Sequence, residues 1–299
     1  MNFERQTSWG ILIVSALFFS GMGGGCFFFS FILELQNKYE IIFKTGKILS
    51  PIFTFIGLLC LLIDLKTTKK FYRIFLTPSS WMTRGSFVLL IFFLCELGYS
   101  LPSLELFEWL PWDKTTSLGK VMLMTAVPFS FLAMIYPAFL LGAVKNIPSW
   151  DTAALFPLFL FFSLYNGLAV LLLITILSAG TLGNQTVVIL NILMKMEIVL
   201  IIFGLLCLYS LVETMLNGNL AAKESIFILI KGEFMGLFIG GVVIIGLIVP
   251  FFMLISSILI KNATPILILT GISSILILMG GFLLRYAIVK TGVYSPLYY

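Results

Sequence analysis

Very few side chains in this 299-residue sequence can do acid–base, metal or redox chemistry. Histidine is absent altogether. Membrane b-type haems generally take histidine axial ligands, and histidine is the commonest metal ligand, so the sequence argues against a haem-ligating role. The four cysteines, Cys26, Cys60, Cys95 and Cys207, are dispersed and form no CxxC pair. That spacing points away from an iron–sulfur or zinc site in this chain and towards small buried apolar residues. What remains is a handful of ionisable groups inside apolar stretches. Glu96 is the deepest, and Glu197 follows Lys195 at a spacing that puts the two on different helix faces. An ionisable residue inside a membrane is costly, so its default reading is functional, and Glu96 and Glu197 become candidates for proton handling. Lys195 has the simpler option of snorkelling to the interface. Glu213 and Glu233 sit at the ends of apolar runs, and Asp64 and Arg84 flank a connection, where anchoring is the plain reading. Tyr136 stands just before Pro137 within an apolar run. Its hydroxyl needs a partner when buried and is able to bond a quinone carbonyl.

The elements that position these groups follow from composition. The chain is 60% hydrophobic and 10% charged, against roughly 25% charged in soluble domains. Such a chain uses lipid as its solvent, which leaves helices or a closed barrel. Barrel strands alternate apolar and polar residues, whereas these apolar runs are continuous and about 18–27 residues long. The expectation is an all-α integral membrane protein with about eight transmembrane helices, near 9–33, 48–65, 85–103, 119–142, 153–178, 188–213, 233–259 and 265–288. The first run is too long for a signal-peptide core and is read as a membrane helix. The longest connections, 34–47, 66–84, 104–118 and 214–232, are too short to hold a domain. Large catalytic machinery must come from another polypeptide or lie within the membrane.

The net charge of +5 comes from basic residues between the apolar runs, clearest in Lys66, Lys69, Lys70 and Arg73. Eight spans put both termini on one side, which carries eleven Lys and Arg against seven on the other. By the positive-inside rule that side is cytoplasmic. The opposite face holds an aromatic–acidic loop with Glu105, Glu108, Trp109, Trp112 and Asp113. Tryptophan is enriched at binding hot spots, so Trp109, Trp112 and Asp113 are candidates for partner docking, with a membrane-interface belt as the alternative. Gly21, Gly23, Gly24 and Gly25 crowd the first span, and Gly240–Gly241 and Gly280–Gly281 mark later ones. They fit close helix packing or a slot for a flat ring. Pro128 and Pro137 in the fourth span, with Pro157 and Pro250 interrupting the fifth and seventh, are places where kinks open cavities.

Several motifs in order resemble one family. Asp64-Leu65, Phe71-Tyr72-Arg73 and Ser79-Ser80-Trp81-Met82-Thr83-Arg84-Gly85 are similar to the DL…RF…SWxxRG connection of the NrfD/PsrC family, the membrane subunits of polysulfide reductase and related molybdopterin enzymes. Tyr136 in a span closed by Leu140-Leu141-Gly142, then Ile147-Pro148-Ser149-Trp150, Leu155-Phe156-Pro157-Leu158-Phe159 and Gly280-Gly281-Phe282-Leu283-Leu284-Arg285-Tyr286-Ala287, extend the match. Trp9 and the first span's glycines also fit.

The resemblance implies two four-helix bundles, no haem, no iron–sulfur cluster in this chain, and a quinone pocket near a docked iron–sulfur subunit of the four-cluster ferredoxin-like kind. A molybdopterin subunit would carry the terminal active site, in a complex of the polysulfide, thiosulfate or DMSO reductase type. The chain would pass electrons between the menaquinone pool and that partner, in the inner membrane. Tyr136 matches a tyrosine that contacts quinone in the family. The histidine that helps hold quinone in some relatives has no counterpart here, so a serine such as Ser15 or Ser20, or a backbone group, would substitute. Tyr136 with Glu96 would handle protons. A secondary transporter is the rival reading, although no convincing inverted repeat is present. A structural anchor without quinone is the third.

Overall fold

In the computed structural model eight apolar stretches form helices long enough to cross a bilayer. The structure describes residues 4–36, 39–65, 79–107, 109–183, 185–260 and 262–295, without the side chain of Glu105. Lys38, Lys66, Lys69, Lys70, Phe71, Tyr72, Arg73, Glu108 and Lys261 lie outside the described residues. The helices are α1 (Ile11–Leu35), α2 (Glu40–Asp64), α3 (Trp81–Ser100), α4 (Ser117–Gly142), α5 (Leu155–Leu177) and α6 (Gln185–Leu216). A short α7 (Leu220–Ile230) follows, then α8 (Gly236–Leu259) and α9 (Ala263–Lys290). Among the described residues there is no strand, only an isolated bridge between Arg5 and Val293.

Side-chain caps start several helices. Ser80 accepts from the Met82 N–H, Thr116 from Gly119 and Asn219 from Ala222, each satisfying a donor the helix cannot. The most hydrophobic stretch of α1 is 67% buried and that of α5 is 72%, against 28–44% for the other six spans, so α1 and α5 form the centre. Around them α1 packs on α2, α4 and α9, while α5 packs on α4, α6 and α9. Helices α2–α3–α4 and α6–α8–α9 complete the two flanks. Exposed side chains such as Leu206, Phe252 and Ile268 make the outer surface apolar, as lipid requires.

Close backbone approach explains the glycines. A Cβ on Gly167 would strike the backbone of Gly25 where α5 crosses α1, and one on Gly246 would lie 2.6 Å from the Gly280 Cα where α8 meets α9. The positions of Gly21, Gly23 and Gly24 are filled by Ser163, Thr54 and Ser130 from neighbouring helices. The first-span glycines thus serve helix packing. Gly236–Ile248 of α8 winds as a π-helix and becomes α-helical at Val249, next to Pro250. In the wide segment the Gly246 carbonyl accepts from the Tyr165 hydroxyl.

Several boundaries differ from the sequence expectation. Helix α2 begins at Glu40 rather than 48, because Lys44 pairs with Glu40 one turn away and Lys47 pairs with Glu34. The 214–232 connection contains α7, capped by Asn219 but too short to span. Pro157 lies in the first turn of α5, where its missing N–H is not needed, so it interrupts nothing. Lys47 and Arg285, which the charge pattern places on opposite faces as flanking residues, are both buried.

One end of the molecule is a tied platform. The Gln6 N–H donates to Gly292 O (2.9 Å), Tyr294 N–H to Glu4 O (2.9 Å) and Ser295 N–H to Asn146 O (2.8 Å). Trp9 and Trp150 pack at 4.9 Å, and the Trp150 indole donates to Ile288 O at 3.0 Å. We call this the termini end, and the face carrying residues 101–116 the loop end.

Candidate functional site

Tyr136 sits one and a half turns before Gly142, roughly 9 Å from the end of α4. Its ring packs directly against Gly85 of α3, where any Cβ would overlap the ring carbons. Here glycine is required by the tyrosine. Beside the ring is a cavity of about 250 Å³ at the termini end. Ser8, Trp9 and Ile13 wall it from the first segment, Leu61 and Asp64 from α2, Met82 and Ser86 from α3, and Leu140 from α4. Four helix ends therefore converge on one space. Its walls are mostly apolar, with three hydroxyls and one carboxylate, the pattern of a site for a flat ring with polar edges. The Ser86 hydroxyl is bonded back to Met82 O at 2.9 Å. The Tyr136 hydroxyl makes no hydrogen bond to a described residue, although the side chain is buried. The ring is buried while the residue lines the cavity, which leaves its hydroxyl open to a ligand acceptor.

The other sequence candidates fall in different places. Ser20 is buried, donates to Ala16 O at 2.7 Å and packs beside Gly57, and Ser15 is half-buried. Neither lines the cavity; Ser8 and Ser86 do. Glu96 lies eleven residues beyond Gly85 on α3, roughly 16 Å along the axis. A packed layer of Phe27, Leu89, Phe92 and Ala133 stands between them, so Tyr136 and Glu96 are not brought together. Asp64 is the carboxylate at the Tyr136 cavity. Glu197 is fully buried on α6, which packs chiefly on α5, and neither of its carboxylate oxygens has a hydrogen-bond partner among the described residues. Lys195 is exposed on another face of α6. The buried Arg285 is held by neutral groups: its guanidinium donates to Leu17 O, Gly281 O and the Ser163 hydroxyl and lies over Phe18 and Phe159.

The loop end carries Trp109, which is 74% exposed. Trp112 is committed to Gly98 O at 3.1 Å. Asp113 closes its own turn: the Thr115 hydroxyl and the Thr116 N–H hold its carboxyl below the usual carboxylate range. This loop and the Tyr136 cavity lie at opposite ends of α3, about 30 Å apart by its length.

Sequence reasoning makes Asp64 an anchor and passes over Ser8 and Ser86. The available signal was motif membership: Asp64 and Ser86 flank the same connection, and Trp9 stands one residue from Ser8. Among the described residues no three of His, Cys, Asp and Glu converge as a metal site. Across residues 1–296 the chain matches the family model described as polysulphide reductase, NrfD. No curated protein matches it.

Proposed function

The chain belongs to the polysulphide reductase NrfD family, membrane subunits of molybdoenzyme complexes, and on that premise we propose that it binds quinone or quinol beside Tyr136. In this reading it passes electrons between the menaquinone pool and an iron–sulfur partner. The observation that carries the reading is the Tyr136 hydroxyl, without a hydrogen-bond partner among the described residues, at an apolar cavity with Asp64 at its rim. Oxidation of a quinol releases two electrons and two protons, and the redox chemistry belongs to the ligand. Tyr136 donates a hydrogen bond to a ring oxygen and fixes the ring's position. Asp64 is the nearest carboxylate to take a proton and pass it to water at the termini end. Trp9, Ile13 and Leu140 exclude water from the ring's faces.

Electron tunnelling falls steeply with distance, so the partner docks at the end that holds the cavity. The tied termini and the 143–154 connection, with the Lys145–Asp151 ion pair at 2.7 Å, supply a platform there. Trp109 at the loop end is too distant for direct exchange, and in this reading it faces the membrane interface. In this reading the eight spans divide into two four-helix bundles, the chain holds neither haem nor cluster, and a molybdopterin subunit carries the terminal chemistry. The excess of Lys and Arg puts both termini in the cytoplasm, in the inner membrane. Tyr136→Phe keeps the ring and removes the bond. Quinol turnover of the intact complex should fall, and bound quinone should decrease. Unchanged turnover with unchanged quinone content would remove Tyr136 from the site.

A further inference from the structure

A second set of titratable groups lies at the loop end of α1, α2 and α3, and the cavity chemistry does not use it. Glu34, near the end of α1, is reached by Lys114 at 3.5 Å and by the Tyr99 hydroxyl at 3.0 Å. Lys47 of α2 is 2% exposed, pairs with the same carboxylate, and lies 4.3 Å over the Tyr99 ring. One turn deeper, the Ser50 hydroxyl, bonded to Gly23 O at 2.9 Å, meets the carboxylate of Glu96. Pro51 has no N–H for the Lys47 carbonyl, and the Ser100 hydroxyl donates to it instead at 2.9 Å. Lys47 and Ser50 share a face of α2, as Ser100 and Glu96 share one of α3. Lys47 and Ser50, which meets Glu96, are therefore about 4.5 Å apart along the axis of α2.

Two features ask for a role. A buried ion pair stabilises a fold little better than apolar packing would. Glu96 is wholly buried between the Ser50 and Thr54 hydroxyls, and its Oε1 completes no hydrogen bond of normal geometry among the described residues. The thiols of Cys26 and Cys95 lie in electrostatic reach of Glu96. From α4, no residue between Lys120 and Tyr136 is titratable. Beyond Glu96 the path stops at the apolar layer of Phe27, Leu89 and Phe92.

We propose that Glu34, Lys47, Tyr99 and Ser50 conduct protons from the loop-end water to Glu96, which stores them within the membrane. A proton taken from water at that face neutralises the Glu96 carboxylate, and its return restores the charge. The subunit thereby exchanges protons with the compartment on the loop-end face. This proposal does not depend on quinone binding.

The test uses the whole complex in oriented proteoliposomes. The probe is dicyclohexylcarbodiimide, which modifies protonated carboxyls in apolar surroundings, and adducts are mapped by peptide mass with Glu96→Gln as the site control. Labelling of Glu96 should rise up to about tenfold per unit as pH is lowered on the loop face, the limit for one titrating group. It should ignore pH on the other face. In Glu34→Gln the response to loop-face pH should be lost, and Tyr99→Phe, which keeps the ring, gives the same readout if the first variant fails to assemble. Absence of any adduct, labelling that follows the termini face, or wild-type labelling in an assembled relay variant would overturn the proposal. A silent Tyr136→Phe variant would leave this result untouched, so the two readings fail separately.

Discussion

Replacing Gly85 by alanine tests the Tyr136 site without touching any group that would contact the ligand. The added methyl overlaps the tyrosine ring, so the ring turns out of its place or α3 and α4 move apart. Inserting a methyl into a packed site typically costs about 1–3 kcal/mol of stability, which a membrane-embedded chain of this size tolerates. The functional loss is the displaced hydroxyl. Hydrogen bonds between membrane helices average about 0.6 kcal/mol and reach about 1.7. At about 1.4 kcal/mol per tenfold, that is roughly 3- to 16-fold in affinity. The assay is turnover of the complex with a soluble quinol, set beside turnover with an artificial donor that feeds the soluble subunits directly. KM for quinol should rise by roughly that factor while artificial-donor activity stays unchanged. Adding Tyr136→Phe to Gly85→Ala should cause little further loss, because both act through one hydroxyl. A quinol KM within twofold of wild type, in an assembled complex, would refute the reasoning.

Trp109→Ala with Trp112→Ala should leave the iron–sulfur subunit bound and quinol turnover near wild type; release of that subunit in a pull-down would restore the loop to docking. An extracytoplasmic reporter should be silent after Tyr299 and active within the 104–118 loop, and activity at the C-terminus would invert the orientation. The purified chain alone should give no optical haem spectrum and hold no stoichiometric iron, and either signal would contradict the cofactor reading.

The eight spans are legible because a bilayer demands long apolar runs, and nothing else in the sequence competes with that signal. Helix α2 reads eight residues short because Lys44 and Lys47 look like loop charges until their partners are known. Glu40 is a local partner and visible; Glu34 belongs to another helix, and only the packing reveals it. Tyr136 is legible from motif and chemistry. Its neighbours are not, because the register of α3 against α4 decides that Gly85 and Ser86, not Glu96, share its level. The sequence points to serines inside the first span at 15 and 20, whereas the cavity sits where helices begin and end, beside Ser8 and Ser86. Arg285 counts as a surface charge by position, yet three backbone and hydroxyl acceptors hold it inside.

The most direct measurement is photolabelling of the intact complex with a photoreactive quinol analogue, with and without excess quinone, mapped by peptide mass. Label should fall on segments 8–13, 61–64, 82–86 and 136–140, which line the Tyr136 cavity, and should be displaced by quinone. Label confined to α6, α8 or α9, or label on the cavity segments that excess quinone does not displace, would contradict a quinone site beside Tyr136.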